Sequence, residues 1–238
     1  MIEFYSGTPG SGKSYHAVKR MVQKLRRSSH NTVISNVAMD FSSVKGCKGS
    51  FYYVPNDDLT VDYLIEFARQ HHDFTGNVKE VEGQTLVVID ECQVFFNPRE
   101  FSKKDRLPWV NFFTMHRHLG FNFILVSQFD RLVDRQIRNN FEYEVVHRKC
   151  NNYKFLMLLP IPVFLAIEKW YGCKERMGME FIIFNKKYGN LYASCRNILF
   201  ADADGQDGAA AVGKPKEGPD EEGTPCPPAP AEGGSDGE

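Results

Sequence analysis

Ile2-Glu3-Phe4-Tyr5-Ser6-Gly7-Thr8-Pro9-Gly10-Ser11-Gly12-Lys13-Ser14 decides how the rest of this chain is read. A short apolar run enters a glycine-rich loop ending in Lys-Ser, which reads as strand, phosphate loop and helix. Gly7-x-x-x-x-Gly12-Lys13-Ser14 has the Walker A spacing, in which glycines let the backbone curl so that successive N–H groups face phosphate oxygens. The helix expected from Lys13 to Arg27 adds the positive end of its dipole to the same spot. Gly7, Thr8, Pro9, Gly10, Ser11, Gly12, Lys13 and Ser14 are therefore the candidate nucleotide-binding residues. Lys13 would reach the β and γ phosphates of ATP, and Ser14 would ligate the Mg²⁺ ion that bridges them.

Thr85-Leu86-Val87-Val88-Ile89-Asp90-Glu91 is the second informative stretch. Five continuous β-branched and apolar residues ending in acid describe a central parallel strand buried on both faces. Ligands of open α/β sheets bind at the carboxyl ends of their strands, which places Asp90 beside the phosphate loop. Asp90 is the candidate second metal ligand, and Glu91 is placed to polarise an attacking water.

A third piece follows in order. A helix expected from Trp109 to His118 stops at Gly120, and the strand Phe121-Asn122-Phe123-Ile124-Leu125-Val126 ends in Ser127-Gln128. Gln128, polar at a strand tip, is the candidate sensor of the γ-phosphate and positioner of water. His116-Arg117-His118 either touches phosphate or a neighbouring subunit, or is a solvated helix end. Residues 130–138 read as a short helix or turn in which Arg138, and after it Arg135, is the candidate finger toward a neighbour's nucleotide.

The remaining elements are plainer. Tyr15, Val18, Met21, Val22 and Leu25 give the first helix one apolar face, and Thr32-Val33-Ile34-Ser35 reads as a strand leading to Asn36. Ser50 to Val54 is β-like, and Asp57 or Thr60 caps a helix carrying Leu64, Ile65, Phe67 and Ala68. Phe141 to His147 reads as another strand, and residues 163–171 and 179–184 as a hairpin. The apolar stretch from Phe155 to Ile167 is too short for the hydrocarbon core and is broken by Pro160 and Pro162. It is not a spanning segment, and its first half is expected as an exposed apolar loop contacting a membrane surface or a subunit.

With 238 residues the chain has room for one α/β domain with an appendage. The expected division is a nucleotide-binding core over 1–150, a β-rich appendage over 151–200 and a disordered acidic tail over 201–238. The tail carries ten Asp and Glu against Lys214 and Lys216 and has no aromatic residue, so it cannot bury enough apolar surface to order itself. Residues 1–200 then carry twenty-seven Lys and Arg against twenty Asp and Glu, a net charge of +7. A basic folded part allows a polyanionic partner or a membrane surface. The six cysteines show no zinc spacing or paired motif, and no signal peptide is visible, so the expectation is reduced thiols in the cytoplasm, free or peripheral to the inner face of the membrane.

Taken together, Gly7 to Ser14, Val87 to Glu91, His116-Arg117-His118 with Gly120, Ser127-Gln128, Arg138 and Lys187-Tyr188-Gly189-Asn190-Leu191-Tyr192 resemble the zonula occludens toxin family, which includes the gene I assembly ATPases of filamentous phage. The resemblance implies a P-loop ATPase of the additional-strand class with a catalytic glutamate. It implies a homo-oligomeric ring that moves a phage or plasmid nucleoprotein or single-stranded DNA. Relatives typically carry a transmembrane helix after the ATPase domain, and this sequence has none there. Two other readings compete: a P-loop small-molecule kinase or GTPase, disfavoured by Glu91, Gln128 and the lack of a guanine motif after a strand, and a nucleotide-binding effector or toxin without turnover.

Overall fold

The computed structural model describes residues 1–41, 44–75, 81–99, 103–150 and 161–191, and the side chains of 103–105 are not among them. These residues build one eight-stranded sheet between two helical layers. In chain order the strands are β1 (Ile2–Ser6), β2 (Thr32–Ser35), β3 (Ser50–Tyr53), β4 (Thr85–Ile89), β5 (Phe121–Val126), β6 (Tyr143–Lys149), β7 (Val163–Trp170) and β8 (Arg176–Ile183). The helices are α1 (Lys13–Arg27), α2 (Val61–His71), α3 (Lys103–Met115) and the single turn α4 (Arg135–Arg138).

The sheet order is β3-β2-β4-β5-β1-β6-β7-β8, parallel from β3 to β6 and antiparallel from β6 to β8. One additional strand, β5, separates the phosphate-loop strand β1 from the acidic strand β4. The carboxyl ends of β1, β2, β4, β5 and β6 all meet one edge of the sheet, where Ser6, Ser35, Ile89 and Val126 end their strands.

Alternation along each strand splits the core in two. Ile2, Phe4, Val87, Ile89, Phe123 and Leu125 face a cluster shared with α2, α3 and residues 133–141. Tyr5, Val33, Val88, Ile124 and Val126 face α1, whose Val18, Met21, Val22 and Leu25 are buried as its spacing demands. Each such side chain contributes about 1.5–3 kcal/mol on burial, so a sheet covered on both faces is strongly favoured. Lys24, Arg26 and Arg27 lie in the last turn of α1, where they complement its negative end.

Several expectations meet the coordinates closely: α1, β2, β4 and β5 have the predicted ends, and Thr60, rather than Asp57, caps α2 by accepting from Tyr63 N at 3.2 Å. Helix α3 differs. It begins at Lys103, not Trp109, and runs through Pro108. Pro108 is the sixth residue of this helix, inside it, where a proline removes one backbone donor and crowds the carbonyl four residues back, so the sequence there reads as a helix boundary. It stops at Met115, three residues before the expected end, so His116-Arg117-His118 lies in turns.

The hairpin expected over 163–184 is formed by β7 and β8, and its strands continue the core sheet through β6. The boundary expected at residue 150 thus falls between two strands of one sheet. The described residues all belong to the unit Met1–Asp204. Residues 151–160, with most of the expected apolar loop, and the tail 201–238 lie outside the described residues. No helix among the described residues is long and apolar enough to cross a membrane.

Candidate nucleotide site

Strand β1 delivers its backbone into a loop that crosses from Gly7 to Gly12 and enters α1. Gly7 (φ 142°) and Gly12 (φ 95°) both occupy the half of backbone space that favours glycine. Sterics require the same residue: a Cβ on Gly12 would stand 2.5 Å from the Phe164 ring, and one on Gly7 2.5 Å from the His147 carbonyl oxygen. Gly12 caps α1 without any side-chain hydrogen bond, so the first-turn N–H groups receive no capping oxygen. The Ser11 hydroxyl is buried with no hydrogen-bond partner. Open helix donors and an orphaned hydroxyl at one loop are the arrangement an anionic phosphate would satisfy.

Lys13 is buried, and its ammonium donates to Gly7 O at 2.9 Å and Thr8 O at 3.2 Å. Burial lowers its pKa, while Glu91 and Asp90 pull it back up. Loop cation and strand-end carboxylates therefore lie within electrostatic reach of one another. Ser14 is half-buried one residue into α1.

Asp90 is buried at the tip of β4. Asn36, at the tip of β2, grips its backbone from both sides: Asp90 N donates to Asn36 Oδ1 at 2.8 Å, and Asn36 Nδ2 donates to Asp90 O at 2.9 Å. Glu91 follows in a left-handed conformation (φ 50°, ψ 46°) that costs a non-glycine residue about 1–2 kcal/mol. Its N–H donates to Asp90 Oδ1 at 3.0 Å, and Gln93 Nε2 donates to Glu91 Oε2. The exposed Glu91 carboxylate is thereby held apart from the buried one.

Gln128 stands at the end of β5, next to β1, and its carbonyl accepts from Gly7 N at 3.2 Å. With Gly7, Thr8, Glu144 and Arg148 it lines a pocket at the loop's mouth. Arg138 is placed elsewhere: it donates to Asp130 Oδ2 at 3.4 Å, which also accepts from Tyr171 OH at 3.3 Å. The structure thus brings together the loop, Lys13, Asp90, Glu91 and Gln128, and leaves Arg138 on the α2-side face near the start of β6. His116-Arg117-His118 lies at the amino end of β5, at the sheet edge opposite the glycine loop. The His116 carbonyl accepts from Phe121 N, at the amino end of β5, and Arg117 pairs with Glu142 and Glu82.

Two features escape sequence reasoning. Asn36 is one, although a polar residue at the tip of a strand beside the acidic strand is a readable signal. The other is a buried pair beneath the loop: His16 Nδ1 and His147 Nε2 share a hydrogen bond at 2.9 Å, and His147 Nδ1 lies 3.2 Å from Ser6 O. Tyr5 packs on both rings. Burial lowers both histidine pKa values, and the neighbouring His147 depresses His16 further. Both rings are therefore neutral, and they brace β6 and α1 around the loop.

A parallel sheet with a glycine loop after β1, an acidic pair after β4 and an additional strand between them defines the P-loop nucleotide-binding class, in its additional-strand division. The profile of the family described as Zonular occludens toxin (Zot) matches residues 1–155, and the chain belongs to that family. The gene 1 protein of Enterobacteria phage fd is 26% identical over 151 residues, covering 61% of this chain and 41% of that protein. The gene 1 protein of Enterobacteria phage I2-2 is 29% identical over 145 residues, covering 60% and 38%. The chain thus matches about two fifths of the length of these curated relatives. Among solved structures, ATPases 2 and 3 of EssC from Geobacillus thermodenitrificans share the fold, with a TM-score of 0.50 and 12% identity over 85% of this chain and 44% of that one. The N-terminal domain of zonular occludens toxin from Neisseria meningitidis gives a TM-score of 0.49 and 17% identity over 80% of this chain and 97% of that one.

Proposed function

We propose that the chain is an ATP-hydrolysing motor subunit that acts on a phage or related nucleoprotein. The observation that carries the reading is the convergence of one buried lysine and two strand-end carboxylates on a loop with open helix donors and an orphaned Ser11 hydroxyl.

In this reading the backbone from Gly7 to Ser14 holds the phosphates and Lys13 exchanges its bonds to Gly7 O and Thr8 O for phosphate oxygens. Ser14 and Asp90 are the oxygen donors suited to Mg²⁺, a hard cation. When bound, that ion would neutralise charge developing on the phosphates. Asn36 fixes Asp90 for this task. Glu91 accepts a proton from, or polarises, the attacking water, and Gln128 orients that water against the γ-phosphate. Arg138 acts on the nucleotide of a second copy, stabilising charge on the transferred phosphoryl group.

The gene 1 relatives come from filamentous phages, which suggests phage nucleoprotein or single-stranded DNA as cargo. Steady-state ATP hydrolysis with and without single-stranded DNA, double-stranded DNA and lipid vesicles tests both halves. Hydrolysis stimulated by one polyanion supports the motor; absence of hydrolysis under every condition removes it.

A further inference from the structure

The outer face of the hairpin is apolar and uncovered. Met179, Phe181 and Ile183 alternate along β8 and are 50%, 60% and 65% exposed. Ile167 and Leu165 of β7 stand directly opposite Met179 and Phe181 and extend the same face. The intervening residues Phe164, Ala166 and Ile182 are buried with α1. A sheet normally places alternate faces in core and water, so one strand with large apolar residues on both faces has a second surface to bury. Among the described residues nothing covers this one.

We propose that this face seats the β3–α2 flank of a second copy, head to tail. Three observations select that occupant. First, β8 and β3 are the two ends of the sheet, so joining them repeats the same contact from copy to copy, as a closed ring requires. Second, their charges are complementary. Lys174 and Arg176, with Glu175 between them, are exposed beside the apolar face and leave it a net positive charge, whereas Asp57, Asp58, Asp62 and Glu66 are exposed on the opposite flank, which stays net negative after Glu66 pairs with Arg69. Pairing two β8 edges antiparallel would instead bring Lys174 and Arg176 against the exposed Lys186 and Lys187 of the other copy, like against like. Third, both surfaces adjoin the nucleotide site. Val146, opposite Ile167, lines the pocket with Gly7 and Gln128. On the other flank Asn56 accepts from Asn36, the residue that grips Asp90. A neighbour docked there touches the machinery it would complete. The inference rests on the reading that a second copy completes the site.

Sedimentation velocity of the full chain, over a range of concentrations with and without ATP, tests it. Wild type assembles, and Phe181→Glu lowers the association constant on the order of a hundredfold, because a carboxylate is buried unpaired. Ile183→Lys does the same, and unchanged circular dichroism keeps misfolding apart from lost assembly. Reversing one side, as Lys174→Glu with Arg176→Glu, or the other, as Asp62→Lys with Glu66→Lys, weakens assembly about tenfold, and combining the two reversals restores it. Assembly untouched by Phe181→Glu, or a wild type that stays monomeric, overturns the proposal. So does vesicle binding lost in Phe181→Glu while assembly is retained, which would assign the face to lipid. Nucleotide binding is measured beside assembly: a wild type that assembles through this face yet binds no ATP refutes the ATPase reading and leaves the interface standing.

Discussion

Asn36 and Asp90 are joined by two hydrogen bonds, both between the Asn36 side-chain amide and the Asp90 backbone, across the carboxyl ends of β2 and β4. The relationship locks the angle at which the acidic strand tip presents its carboxylate, without engaging that carboxylate. Replacing Asn36 by Ala removes both of these hydrogen bonds to the Asp90 backbone, at a cost of about 1–3 kcal/mol in stability. The expected catalytic signature is a Mg²⁺ activation curve shifted to higher metal concentration, a weaker apparent affinity for the metal, with ATP affinity in excess metal little changed. Titrating activity against Mg²⁺ reads it; an unshifted curve would make Asn36 purely structural.

Lys13→Ala removes a buried cation that donates to the loop carbonyls of Gly7 and Thr8. Because Lys13 serves the loop and not the apolar core, unfolding by denaturant should change by no more than about 1 kcal/mol, while nucleotide affinity falls by at least about tenfold. Equilibrium binding of a fluorescent ATP analogue checks this. Undiminished affinity in a folded variant would remove the phosphate-loop assignment.

The buried histidine pair sets a pH dependence. Both folded pKa values lie below the ordinary 6.5, because burial disfavours the charged rings. Above the unfolded pKa neither state is protonated there and stability is unaffected. As pH falls below about 6.5 the unfolded chain takes up protons that the folded chain refuses, so stability is lost, by up to about 1.4 kcal/mol per pH unit for each histidine. The loss continues until the folded values are passed, which for His147 is about 4. Urea unfolding at pH 7.0 and 5.5 should show the drop in wild type and a smaller one in His147→Gln. Equal drops would exclude the pair as its source.

Much of this architecture was legible because its signals are local. Residues 85–89 are apolar on both strand faces, which only a central strand tolerates, and the loop glycines are demanded by backbone geometry. The same holds for α1, whose face is written at three- and four-residue spacing. What escaped was set by distant partners. The sequence leaves His116-Arg117-His118 open between phosphate, a neighbouring subunit and a solvated helix end; the sheet puts the block at the edge opposite the loop, where His116 is buried with its Nδ1 2.6 Å from Phe113 O. His16 and His147 are 131 residues apart and meet only because β6 lies beside β1. The start of α3 was missed because Pro108 reads locally as a helix boundary.

Arg138, paired with Asp130 inside its own chain, carries the trans-acting role proposed for it only if assembly draws it to a neighbour's phosphates. Arg138→Ala and Glu91→Gln subunits, each inactive alone, should recover part of the activity when mixed, since one kind of mixed interface pairs an intact Glu91 with an intact Arg138. Co-assembled mixtures that stay inactive would exclude Arg138 from that role.

The central claim is that Glu91, held in its left-handed turn beside Asp90, activates water for ATP hydrolysis. The most direct test is single-turnover hydrolysis of bound ATP by Glu91→Gln alongside wild type, with nucleotide occupancy measured in the same samples. The account predicts full occupancy with Mg²⁺ and hydrolysis slowed by about 10²–10⁴-fold, the usual contribution of a positioned general base. Hydrolysis by Glu91→Gln at the wild-type rate, at equal occupancy, would contradict it.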